Sequence, residues 1–128
     1  MFDWGEYLTV ARDLDAKRVP TCGDDARWRA AISRAYYAAF CPARDYLIEK
    51  GEISPSRRDE PRLHREVAEK FKASGDGRRR DIGKWLTEMR GERNRCDYEG
   101  SVADLKDTAR QTLAKSGWAL AKLALVRA

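Results

Sequence analysis

The sequence predicts an all-α protein, an antiparallel helical bundle of about five helices. Two observations carry this. Apolar residues recur every three or four positions through most of the 128 residues, and no stretch alternates apolar with polar as a half-buried strand does. Prolines number only four. A single domain over residues 1–128 is expected, because a chain of this length buries roughly two thirds of its unfolded surface around one core.

The first helix is predicted from about Trp4 to Lys17. Asp3 and Glu6 have the spacing of a capping box, and Trp4, Tyr7, Leu8, Ala11 and Leu14 share one face. Pro20 and Gly23 end it. The second helix is predicted from Asp24 or Asp25 to about Lys50, with Trp28, Ala31, Ile32, Ala35, Ala39, Tyr46 and Leu47 inward. Its alanines let a neighbouring helix come close. Pro42 lies inside it and predicts a kink. Gly51 suits its C-terminal stop.

Residues 51–59 read as an exposed loop. Pro61 opens a short third helix to about Lys72, with Leu63, Val67 and Phe71 inward. Ser74 to Gly77 is a turn. A fourth helix follows from about Arg78 to Arg93, burying Ile82, Trp85, Leu86 and Met89. Residues 94–100 form a polar connection. Ser101 and Asp104 are placed to cap a fifth helix from about Val102 to Val126, carrying Val102, Leu105, Ala109, Leu113, Leu120 and Ala124 inward. The long second and fifth helices are expected to form the spine.

The net charge is +5 and is unevenly placed. Residues 51–95 hold 13 basic and 9 acidic groups, while the flanking segments are nearly balanced. Such a surface attracts phosphate backbones, though a solvated helix face gives the same count. The three cysteines, Cys22, Cys41 and Cys96, are odd in number and fit no zinc spacing. No metal or cofactor is expected. Cys41 reads as a small core residue. No signal peptide or membrane-length apolar run is seen, so a cytoplasmic location with reduced thiols and no membrane contact is the expectation.

Three places could carry chemistry. Arg93-Asn94-Arg95-Cys96-Asp97-Tyr98 is a polar cluster at the predicted junction of helices four and five. Its structural reading is simple: Arg93 caps a helix, Asn94 turns the chain, and Asp97 pairs with a nearby arginine. Ser33-Arg34-Ala35-Tyr36-Tyr37-Ala38-Ala39-Phe40 puts a cation and three aromatics into an apolar helix. Arg34 needs a partner if buried, and Asp97 is the expected one, tying the second helix to the junction. The aromatics are core, or one tyrosine stacks on an unpaired nucleobase. His64 is the sole histidine, about one turn into the third helix. Arg57 and Arg58 precede it by six and five residues, a spacing that 18 arginines make common by chance.

In order and spacing these segments resemble the HEPN superfamily, over roughly residues 25–125. One large subgroup carries S-R-A-Y-Y-A-x-F on its second helix and R-N-x-A-D-Y at the junction, here with Cys96 for the alanine. A histidine before a V-x-x-x-F helix is also typical, as in His64, Val67 and Phe71. The resemblance implies an all-helical HEPN-like fold and a symmetric homodimer with two Arg93 clusters across one basic groove. It also implies metal-independent RNA cleavage, in which an Arg steadies the phosphorane charge and a His four to six residues later takes the 2′-hydroxyl proton.

Carried over by position, Arg93 is the phosphate ligand and Asn94 its orienting neighbour. No histidine follows. Asp97 stands near its position with Tyr98 next, but an aspartate near pKa 4 suits neutral pH poorly as a base. His64 is the candidate substitute, and Arg34, Tyr37 and Arg95 are candidate RNA contacts. Two functions follow. One is an RNA-directed effector, a ribonuclease of a toxin–antitoxin or defence system. The other is a catalytically silent module that binds a partner such as a minimal nucleotidyltransferase or an antitoxin. A purely structural helical dimer is a third reading.

Overall fold

The computed structural model describes residues 2–18 and 23–128. The expected break at Pro20, and Cys22, lie outside the described residues. Among the described residues there are five α-helices: α1 (Glu6–Asp15), α2 (Asp24–Glu49), α3 (Leu63–Lys72), α4 (Gly77–Tyr98) and α5 (Leu105–Arg127). There is no strand among the described residues.

Most of the predicted stripes in the first four helices are buried, though Trp4, Tyr7, Leu14, Trp28 and Trp85 are only half-buried. Leu8 and Ala11, then Ala31, Ile32, Ala35, Ala39, Tyr46 and Leu47, then Leu63, Val67 and Phe71, then Ile82, Leu86 and Met89 are all in the core. α2 is continuous through Pro42. Residues 51–59 are not wholly exposed: Ile53 is buried, and Pro55–Arg57 make a 3-10 turn.

α5 departs from expectation. Ala124 is exposed, and the buried face runs through Leu105, Ala109, Thr112, Ser116, Ala119 and Leu123. The two hydroxyls are satisfied by backbone. Thr112 donates to the Thr108 carbonyl at 2.8 Å, and Ser116 donates to the Ala35 carbonyl across the interface at 2.7 Å. A small serine facing an alanine brings α2 and α5 close enough for that bond.

Neighbouring pairs α1–α2, α3–α4, α4–α5 and α2–α4 run antiparallel. The ion pairs Lys115–Glu88 and Lys122–Asp81 show it for α4 and α5. The spine helices α2 and α5 run in the same direction: Ala35 meets Ser116, and Glu49 meets Arg127. The connection after α2 returns along the bundle, so α3 also runs with α2. His64 lies beside Tyr36, and Phe71 beside Tyr46.

α3 and α4 meet at Gly83. A Cβ there would lie 2.7 Å from the Lys72 amide nitrogen and 2.8 Å from the Ala68 carbonyl oxygen, so only glycine permits this approach. That contact holds the end of α3 against the early turns of α4.

The caps also differ. Gly5 and Asp104 stand at the N-termini of α1 and α5 without a side-chain cap, Asp104 at φ 57°. Asp3 instead accepts from the Gly5 amide at 2.9 Å. The capped helix is α4, where the Asp76 carboxylate accepts from the Arg78 amide at 2.8 Å. No helix among the described residues is long and apolar enough to cross a membrane.

Candidate functional site

Arg93 to Tyr98 is not a junction loop. It forms the last turns of α4, which ends only at Tyr98. An i,i+4 ion pair supports the extra turns, with Arg93 Nε 3.2 Å from Asp97 Oδ2. The terminus is closed from α2: Arg29 donates to the carbonyls of Cys96, Glu99 and Gly100 at 2.6, 2.7 and 3.2 Å. A cation on the free carbonyls of a helix end satisfies both their hydrogen bonding and the dipole.

The expected Arg34–Asp97 pair does not form. Arg34 is exposed on the α1 side of α2, its guanidinium 5.0 Å from the Tyr7 ring. Asp97, one turn beyond Arg93, is used by Arg93. α2 is tied to the end of α4 by Arg29, through backbone carbonyls that sequence composition does not reveal.

α2, α3 and α4 enclose a groove of about 530 Å³. Five of the eight residues nominated from the sequence line it: Tyr37, His64, Arg93, Asn94 and Tyr98. Tyr98 is 81% exposed and stands at the rim. Arg34, Arg95 and Asp97 do not line it. Arg95 is exposed and paired with Glu92.

The groove also holds residues that were not among those eight. Arg44, Arg58 and Arg90 line it, with Phe40, Cys41, Asp59, Glu60 and Pro61. The signal was helical arithmetic. Tyr36, Tyr37, Phe40 and Arg44 fall within one face of α2, and Arg90, Arg93 and Asn94 within one face of α4.

Arg44 is the deepest cation. Its side chain is 9% exposed and lies over the rings of Trp4 and Phe40, while Nε reaches Asp45 at 3.1 Å. Its Nη2 is buried with no hydrogen-bond partner among the described residues. Arg58 sits 3.7 Å from the same carboxylate. Arg93 lies over the Tyr37 ring, 5.0 Å from its centroid. Arg90 makes no ion pair among the described residues.

His64 is pinned from several sides. Phe40 stacks on it at 4.1 Å and 15°, Tyr37 meets it edge-on, and Nδ1 lies 2.7 Å from the Tyr36 hydroxyl. Burial, then the nearby charges of Arg93, Arg90 and Arg44, lower its pKa to about 4. The ring is neutral at physiological pH. Cys41 is raised to about 11, chiefly by burial, so its thiol keeps its proton and is a poor nucleophile.

The chemistry of the arrangement suits an anion. It offers guanidinium donors, a neutral imidazole and an aromatic wall. No trio of metal-ligating side chains converges among the described residues. No protein-family model, curated protein or solved structure matches this chain.

Proposed function

We propose that this chain is a cytoplasmic, HEPN-like, RNA-directed effector whose groove engages RNA phosphate through Arg93. The observation that carries this reading is convergence. Residues nominated from two distant sequence segments, with His64 from a third, line one groove with three further arginines. Arg93 supplies the central charge, Asn94 and Tyr98 flank it, and Tyr37 offers a stacking face. A symmetric homodimer would set two such grooves together. If cleavage occurs, it is metal-independent and begins with attack by a 2′-hydroxyl.

A second reading is favoured by His64. A ring with pKa near 4 is a weak base at neutral pH. This supports a catalytically silent module that binds RNA, or a partner protein such as a minimal nucleotidyltransferase or an antitoxin.

One assay separates these readings. Wild type, Arg93→Ala and His64→Ala are compared on mixed RNA in EDTA at two salt concentrations. Salt-sensitive binding lost in Arg93→Ala, without cleavage, selects the silent module. Cleavage lost in both variants selects the ribonuclease. A wild type that neither binds nor cuts RNA rejects the nucleic-acid reading. Sedimentation at micromolar concentration tests the dimer.

A further inference from the structure

His64 offers two ring nitrogens, and the protein engages one. Nδ1 lies 2.7 Å from the Tyr36 hydroxyl. Tyr36 is wholly buried, and burial pushes its phenol far above the usual range, so the hydroxyl keeps its proton. That proton needs an acceptor, and Nδ1 is its sole hydrogen-bond partner among the described residues. Tyr36 therefore donates and Nδ1 accepts. A neutral imidazole that accepts at Nδ1 carries its own proton at Nε2.

Nε2 makes no hydrogen bond among the described residues, yet it is not buried. It is open to the groove. Phe40 fixes the ring plane from one side. The charges around the ring favour its neutral form: Arg44 comes from α2, and Arg90 and Arg93 from α4. The groove's carboxylates, Asp59 and Glu60, come from the connection before α3, and Glu60 is taken by Arg57 at 2.8 Å.

We propose that Tyr36 locks His64 as a neutral Nε2–H donor which, beside Arg93, binds a phosphate oxygen in the groove. The inference deepens the RNA reading and rests on it for the source of that phosphate. His64 then serves as a ligand for the anion, not as the base that takes a proton. Tyr36 is a positioning residue, since it touches the anion only through His64.

The test uses the full chain labelled with 15N, in which the sole histidine gives one unambiguous pair of ring nitrogens. A long-range 1H–15N correlation should show Nδ1 unprotonated and Nε2 protonated. Inorganic phosphate should move Nε2 and leave Nδ1 nearly still. Tyr36→Phe should mix the two tautomers and weaken phosphate binding about threefold, the loss of one ordinary hydrogen bond. His64→Gln, which keeps a neutral N–H near the Nε2 position, should retain phosphate binding, and His64→Glu should abolish it.

A proton on Nδ1 in the wild type, or an Nε2 signal indifferent to phosphate, overturns the proposal. If phosphate moves Nε2 but RNA does not compete for the site, the donor role stands and the RNA reading falls.

Discussion

Two corners of α2 use buried arginines in opposite ways. Near its start, Arg27 is 4% exposed. Its Nη1 donates to the Leu14 and Asp15 carbonyls at 2.6 Å each, closing the end of α1, and its Nη2 reaches Asp24 at 3.0 Å. Both terminal nitrogens are used by the protein itself, and only Nε is buried without a partner among the described residues. Further along, Arg44 is 8% exposed, but its Nη2 has no partner among the described residues and the side chain lines the groove. Burial alone does not separate a structural cation from a binding one. What separates them is whether the terminal donors are already spent.

The largest test of this contrast makes the same substitution at both sites. Arg27→Met should lower unfolding stability by about 2–3 kcal/mol, because it strips charged hydrogen bonds from a helix end. RNA binding by the folded protein should not change. Arg44→Met should cost less than about 1 kcal/mol, since its Nη2 has no partner to lose among the described residues, yet weaken RNA binding. Urea denaturation and fluorescence anisotropy read the two effects. Equal losses of stability would dissolve the distinction.

Acid sharpens the contrast from the groove side. His64 has a folded pKa near 4 against an ordinary 6.5. Between these values the unfolded chain binds more protons, so stability is intact above about pH 6.5 and falls as pH drops toward 4. After allowing for the ring's partial exposure, the loss is about 2 kcal/mol. His64→Gln should flatten that part of the pH–stability curve. Arg27→Met should lower the curve without flattening it.

Arg93→Ala comes next. It should weaken RNA binding about tenfold, roughly 1.4 kcal/mol, and shallow the salt dependence by about one phosphate contact. The smallest effect is expected at Arg34. Its exposed contact with Tyr7 is worth about 0.5 kcal/mol, and Arg34→Ala should leave RNA binding untouched. A binding defect there would place the site on the wrong face of α2.

The helices and most of the core were legible in the sequence because burial follows the helical period. Leu63, Val67 and Phe71 needed nothing else. On α5 the same rule picked Leu113, Leu120 and Ala124. The structure turns that helix toward Thr112 and Ser116; the Thr112 hydroxyl is satisfied one turn back, and that of Ser116 depends on a carbonyl 81 residues away. Long-range backbone partners also explain why Arg29 was missed and Arg34 chosen in its place. At the groove, resemblance picked Arg93, Asn94 and Tyr98, but Arg44 and Arg90 belong to neither quoted motif. Only the docked helices put them beside His64.

The returning connection after α2 has a consequence for finding the ligand. Because α3 must double back before it can pack, the groove exists only when residues near 37, 64 and 93 have met. No short fragment carries it. Whatever anion settles there is linked to unfolding of the α2–α3–α4 core, and by mass action it stabilises that core by RT ln(1 + [L]/Kd). At one hundred times Kd that is about 2.7 kcal/mol. A rise in the chain's melting temperature is therefore a sufficient screen, and mononucleotides, oligonucleotides and simple phosphates can be ranked by heating alone.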